Sequence, residues 1–267
     1  MANASTNSFI ASDSTKMNTT DETTPKKMTF ENWDDEDVAL NVDLLRGIYM
    51  YGFEVPSEIQ KKSIVPMISG RDIIAQAQSG TGKTGSFTVG SLQRVDPSFK
   101  ATQVLILSPT RELADQTFQI CEQMSKKMNI RVKLLIGGTS TDDDIKDLKG
   151  DVPHLVVGTP GRVKDMLTRS ALSPASIKSI VLDEADEMLS AGFKDQVYNI
   201  LQFMPSDVQV ALFSATLPAE VLELTEKFMR DPYKILVESR ELTVEGIRQY
   251  YVALEDDIQK YPTGYNV

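Results

Sequence analysis

The chain has 267 residues, of which 41% are hydrophobic and 25% charged, an ordinary globular balance. No apolar run is long enough to span a bilayer, the N-terminus has neither the basic start nor the apolar core of a secretory signal, and a single cysteine, Cys121, excludes an internal disulfide. A net charge of −10, from 28 basic and 38 acidic residues, argues against gripping nucleic acid by bulk charge; half of that excess lies in residues 1–40, with eight acids and three lysines, so a local basic groove in the body is compatible with the total.

Residues 1–27 are rich in Ser, Thr and Asn and poor in large apolar groups, so they read as a disordered tail. Phe30 and Trp33 mark where the chain begins to dock. From residue 42 onward two helical patterns come first, DLLRGIYMYGF and QKKSIVPMISG, the second closed by a glycine. Short apolar runs follow at 73–75, 104–107, 132–136, 155–157, 180–182, 210–213 and 235–237. Amphipathic helical segments such as ELADQTFQICEQMSKKM and FKDQVYNILQFM separate most of them. Fully apolar strands alternating with helices predict an α/β domain: a mostly parallel sheet covered on both faces, over residues 28–238. Cys121 falls within a helical run and reads as a small buried hydrophobe. His154, the only histidine, cannot make a metal site alone and reads as structural.

The polar motifs sit where the strands end. AQAQSGTGKT follows the first strand and SPTREL the second; GGTS, GTPGR, DEAD and SAT follow the next four. Ligands of open parallel sheets bind at those ends, so the motifs point to one shared site. Residues 77–84 fit a phosphate-binding loop, with Ala77 where the loose pattern has glycine. Ser79, Gly80, Thr81 and Gly82 would turn backbone N–H groups toward a phosphate, and the next helix would offer its N-terminus to the same anion. Lys83 would reach the β- and γ-phosphates, and Thr84 would hold Mg2+. Asp183, at the end of an apolar strand, is the acid that such a site needs for the metal. Glu184 beside it can orient or deprotonate the attacking water. A solvated acidic helix start is the plainer account of Glu187.

Asp183-Glu184-Ala185-Asp186 spells DEAD, and from there the resemblance is to the DEAD-box RNA helicases. GFEVPSEIQ resembles their Q motif, PTRELA motif Ia, Gly137-Gly138 the GG element, TPGR motif Ib and Ser214-Ala215-Thr216 motif III. The resemblance runs from about residue 42 to 253, and its wording is most similar to the initiation factor 4A subfamily. It implies a RecA-like fold, ATP and Mg2+ as cofactors, and RNA-stimulated ATP hydrolysis that unwinds RNA. Gln60 would read adenine, because an amide can pair with N6–H and N7 together, and Phe53 would stack on the base. An upstream aromatic also packs on the adenine side in the family. Trp33 is the candidate, about two residues farther from Gln60 than usual, with Phe30 the substitute. RNA would run over Pro109, Thr110, Arg111, Gly137, Gly138, Thr159 and Arg162, mostly through phosphate, and so without sequence preference. Asp186, Ser214 and Thr216 would couple the nucleotide site to the RNA path.

The resemblance also implies a second RecA-like domain carrying arginine fingers. After Thr216 only Arg230, Arg240 and Arg248 occur, none in such a context, while Ile247 to Leu254 resembles the first strand of that domain. Residues 239–267 therefore read as a linker and a stub, and the chain as a first domain. Two classes of function stay open: an ATP-dependent RNA helicase, and a domain that binds ATP or a partner without efficient turnover. The expected setting is translation initiation in the cytoplasm, with the nucleus as alternative, as a monomer with no membrane contact and with initiation scaffold proteins as partners.

Overall fold

Seven runs of four to six residues form the strands: β1 (Ile73–Gln76), β2 (Val104–Leu107), β3 (Val132–Leu135), β4 (Leu155–Gly158), β5 (Ser179–Asp183), β6 (Gln209–Ser214) and β7 (Tyr233–Leu236). The computed structural model describes residues 29–190 and 192–236, so the tail read over 1–27 and the linker and stub read over 239–267 lie outside the described residues. All six strand pairings are parallel, in the order β3-β4-β2-β5-β6-β1-β7. Helices cover both faces of the sheet, which is why its interior strands are apolar at their centres rather than alternating.

Nine helices are described: α1 (Val42–Tyr51), α2 (Glu58–Ile68), α3 (Lys83–Arg94), α4 (Arg111–Ser125), α5 (Thr141–Gly150), α6 (Pro160–Thr168), α7 (Ala185–Ser190), α8 (Lys194–Phe203) and α9 (Ala219–Phe228). None of the described helices is long and apolar enough to cross a membrane. Two buried clusters divide them. Leu44, Ile64, Phe87 and Cys121 of α1–α4 pack with Ile73, Ala75, Val104 and Ile106 on one face of the sheet. Leu148, Val163, Met188, Ile200 and Leu224 of α5–α9 pack with Ile74, Leu105 and Leu107 on the other. Neighbouring strand residues thus feed opposite clusters, as a pleated strand requires.

Connection direction explains the partition. The connections from β1 to β2 and from β2 to β3 run toward the β3 edge, through α3 and α4. Every later connection runs back toward the β7 edge, through α5–α9. Right-handed crossovers put helices on opposite faces when the direction reverses. The chain therefore leaves β1 toward one face and the neighbouring β6 toward the other. It does the same at β2 and its neighbour β4. Each divergence opens a crevice at the carboxyl ends of the strands.

Candidate functional site

The first crevice lies at β1, β5 and β6. Residues 77–84 leave β1 and enter α3, with Gly80 at φ 82° and Gly82 at φ 101°, both in the left-handed region that favours glycine. A Cβ on Gly82 would also fall 2.6 Å from Ser57 Oγ and 2.9 Å from Gln60 Nε2. The loop is thus packed under the start of α2. Ser79 and Gly80 are exposed at its tip, Thr81 donates from Oγ1 to the Gln78 carbonyl at 2.7 Å, and Thr84 is half-buried in the first turn of α3.

Lys83, the first residue of α3, is buried, and its Nζ donates to both carboxylate oxygens of Glu184 at 2.9 and 2.8 Å. Glu184 follows β5 with φ 46°, a conformation unfavourable for a residue with a Cβ. Asp183 ends β5 and is buried. Burial first, and the neighbouring Glu184 charge second, push its carboxyl up to about 7, against the downward pull of Lys83. Asp186 joins this cluster to β6. Its Oδ2 accepts from the Thr216 N–H at 3.0 Å and Thr216 Oγ1 at 2.7 Å, and its own N–H donates to Ser214 Oγ at 3.2 Å. Partial burial raises the Asp186 carboxyl, but the hydrogen bonds from Thr216 and Ser214 outweigh it and hold the group below its ordinary value.

Gln60 lies beside the loop, almost fully buried. Its Oε1 accepts from the Ser57 N–H at 2.7 Å, and its Nε2 donates to the Gly82 carbonyl at 3.2 Å. Phe53 is half-buried, edge-on to Tyr51 at 4.9 Å between centroids and stacked on Trp33 at 6.3 Å with 11° between planes. Trp33 and Phe30, read as candidate adenine contacts, are both fully buried. They pack with Leu44 and Ile59 in the core under α1 and α2, which leaves Phe53 as the ring nearest the loop. A Cβ at Gly85 of α3 would meet Phe53 at 2.7 Å, so that ring lies directly against the first turn of α3.

The second crevice lies over β2, β3 and β4. It is a cavity of about 700 Å3 lined by Pro109, Thr110, Arg111, Gly137, Thr159 and Arg162, with Gly161 also on its wall. Six of the seven residues read as an RNA path converge there. Gly138, the seventh, is adjacent at φ 92°, and a Cβ on it would fall 2.8 Å from the Arg111 guanidinium. Thr110 caps α4, its Oγ1 accepting from the Leu113 N–H at 3.2 Å. The two arginines differ. Arg111 is exposed and makes no ion pair among the described residues. The Arg162 side chain is buried, pairs with Asp144, and donates to the Thr139 carbonyl at 2.8 Å. Glu112, at the end of the PTRE stretch read as RNA path, and Glu187, read as a solvated helix start, also line the cavity, as do Asp165 and Phe193, which were not singled out from sequence. Only the placement of Asp165 just after TPGR hinted at it.

Among the described residues no group of three or more His, Cys, Asp and Glu could hold a metal ion. His154 is buried and structural in its contacts: Nδ1 accepts from the Arg131 N–H at 3.0 Å. Cys121 is fully buried, and burial pushes its thiol up to about 12.

Residues 57–224 match the DEAD/DEAH box helicase family. An ATP-dependent RNA helicase eIF4A from Neurospora crassa is 55% identical over 228 residues, which are 85% of this chain and 57% of that protein. A eukaryotic initiation factor 4A from Caenorhabditis elegans is 54% identical over 226 residues, 85% of this chain and 56% of the relative. The chain thus spans less than two thirds of the length of these curated relatives. Among solved structures, a DEAD box protein from Methanococcus jannaschii superposes with a TM-score of 0.75 at 36% identity, covering 80% of this chain and 58% of that one. Saccharomyces cerevisiae Dbp5 bound to RNA and ADP BeF3 superposes with a TM-score of 0.72 at 36% identity, covering 80% and 54%. The fold is RecA-like, and the chain belongs to the DEAD/DEAH box helicase family.

Proposed function

We propose that the chain binds ATP with Mg2+ in the crevice at β1, β5 and β6, binds RNA in the crevice over β2–β4, and serves an ATP-dependent RNA helicase of the initiation factor 4A type. The observation that carries this reading is the pair of crevices at the carboxyl ends of one sheet, with the DEAD residues between them. The loop fits a nucleotide. Its tip at Ser79 and Gly80 is exposed, its N–H groups precede a helix N-terminus, and Gln60 keeps an N–H and a lone pair beyond the two hydrogen bonds it makes. Phe53 offers a stacking face, and Gln60 reads the adenine edge.

The oxygen donors also fit Mg2+, which binds through one or two carboxylates and the substrate's phosphates rather than in an all-protein cage. Thr84 and Asp183 would hold it, and it would neutralise charge developing on the phosphates. Lys83 exchanges the Glu184 carboxylate for phosphate oxygens, which releases Glu184 to take a proton from the attacking water. Asp186, through Thr216 and Ser214, ties the acid cluster to β6 and couples the two crevices. The RNA is held without sequence preference, since Arg111, the exposed cation of the groove, faces phosphate. Translation initiation in the cytoplasm, with its scaffold proteins as partners, follows from the relatives' names and remains part of this proposal.

Calorimetric titration with Mg-ATP tests the first half. Lys83→Ala is expected to lower affinity by about 100-fold, the scale of charge-assisted phosphate bonds lost from a buried site; undiminished affinity overturns the assignment. ATP hydrolysis measured with and without single-stranded RNA tests the second. RNA-stimulated turnover supports the helicase reading, whereas ATP binding without turnover favours a domain that binds and does not hydrolyse.

A further inference from the structure

The RNA groove is shaped by a carboxylate that does not line it. Asp144, in the first turn of α5, is almost fully buried and holds one cation on each oxygen: Lys133 Nζ lies 3.0 Å from Oδ1, and Arg162 Nη1 bonds Oδ2. Arg162 is thereby aimed at the loop after the paired glycines, where it also donates to the Thr139 carbonyl at 2.8 Å and to Thr139 Oγ1 at 3.2 Å. Thr139 Oγ1 in turn donates to the Ile136 carbonyl at 3.0 Å. From the other side the Arg111 guanidinium lies against Gly137 and Gly138. The glycine loop, which has no side chains to hold it, is therefore gripped between two guanidinium groups.

We propose that Asp144 is a positioning residue for RNA: it commits Arg162 as an internal strut that fixes the Gly137–Gly138 loop, and leaves Arg111 as the arginine that meets phosphate. This rests on the reading of the groove as an RNA site. Lys133 is also paired with Asp147 at 2.6 Å, so it keeps a partner when Asp144 is neutralised. Arg162 has no second acid among the described residues, and the loss falls on the groove side. A buried carboxylate bonded to two cations also makes the loop rigid before RNA arrives, which spares the ordering cost at binding.

The test measures binding of a fluorescent single-stranded RNA to the chain over a range of salt, with wild type, Asp144→Asn, Asp144→Glu, Arg162→Lys and Arg111→Ala. Nucleotide affinity at β1, five strands from β3, reports whether each variant is folded. Asp144→Asn is expected to weaken RNA binding about 10-fold with an unchanged salt slope, because no phosphate contact is lost, and Asp144→Glu to restore part of it. Arg162→Lys keeps the charge but loses the fork that spans Asp144 and Thr139, and is expected to fall similarly. Should Asp144→Asn not fold, Arg162→Lys carries the test. Unchanged binding in either variant, or tighter binding with a slope steeper by about 0.7, overturns the proposal, since Asp144 would then only mask Arg162. Arg111→Ala separates the two levels: if it leaves RNA binding intact, the groove itself is misread, whereas if it alone abolishes binding, only the role of Asp144 fails.

Discussion

Both ends of the sheet carry buried polar groups, and they use them differently. At the amino ends three buried side chains, Gln209, Gln103 and Asp72, have their bonds taken up by the fold. Gln209, the first residue of β6, accepts on Oε1 from Arg94 and from Ser179 Oγ at 2.9 Å, and donates from Nε2 to the carbonyls of Met67 at 3.0 Å and Arg71 at 2.6 Å. Gln103, just before β2, likewise fills all four positions, with Asp96, Phe99 and Lys178. Asp72, just before β1, accepts from the backbone of Val210 at 2.9 Å and Arg230 at 2.6 Å. At the carboxyl ends Gln60 fills two of its four positions, Asp183 is buried beside a Glu184 that alone takes the Lys83 ammonium, and Arg111 is free of ion pairs among the described residues. A saturated glutamine can only hold a fold together. A half-used one can exchange partners. The chemistry of the residue is the same, and the remaining bonding capacity separates structure from function.

The largest effect expected from breaking this contrast is at the saturated end. Gln209→Leu keeps the volume but strands Ser179 Oγ and the Arg71 carbonyl and leaves Arg94 with the Met67 carbonyl alone. Arg94 is already pushed below its ordinary range by burial, and no acid pairs with it among the described residues. The expected loss is about 3–5 kcal/mol of unfolding free energy by urea titration, with ATP and RNA affinity of the folded protein unchanged. A loss under about 1 kcal/mol would mean that the amino end is no more committed than the other.

Next comes the half-used glutamine. Gln60→Leu removes the bonds to Ser57 and Gly82, for about 1–2 kcal/mol of stability. Its more telling effect is on selectivity: the preference for ATP over GTP, read by displacement of a fluorescent nucleotide, is expected to fall at least about 10-fold. Equal preference before and after the substitution would show that the spare bonding capacity of Gln60 is not spent on the base.

The strands were legible because they are short, apolar and end in distinctive motifs. The run read at 104–107 is β2 to the residue, and those read at 180–182 and 210–213 extend by one residue at each end, where Ser179, Asp183, Gln209 and Ser214 are polar. Those terminal residues escaped because apolar patterning cannot see a polar residue that still pairs in the ladder. The seventh run, read at 235–237, is described as β7 from Tyr233 to Leu236, with Val237 outside the described residues. Strand order was not legible at all, since nothing local places β7 beside β1. In the site, residue types were readable, as was the link of Asp186 to Ser214 and Thr216, but the ion-pair partners were not. Lys83 and Glu184 are 101 positions apart, and Arg162 and Asp144 lie in different helices, so no spacing rule announces either pair. Trp33, taken from the resemblance as a candidate adenine contact with Phe30 as substitute, lies in the core under α1 and α2, a placement that spacing to Gln60 does not announce.

The smallest effect sharpens the contrast most, because it concerns backbone strain. Away from the carboxyl ends the described non-glycine residues with positive φ are Ala39, Asn129, Ser170 and Asp231, of which Asn129 and Asp231 are types that tolerate the left-handed region through their short polar side chains. At the carboxyl ends the described non-glycine residue in that region is Glu184, at φ 46°, which gains no such local help. Two variants isolate the cost. Glu184→Gln and Glu184→Gly both abolish the ion pair with Lys83, but only glycine relaxes the backbone. Glu184→Gly is therefore expected to be the more stable of the two by about 1 kcal/mol in thermal or urea unfolding, after allowing for glycine's larger unfolded-state entropy. On the proposed reading both also lose the general base for water, so stability and that role move apart at this position. If Glu184→Gln proves equal or more stable, the turn after β5 is not strained, and the carboxyl ends differ from the amino ends in bonding capacity alone.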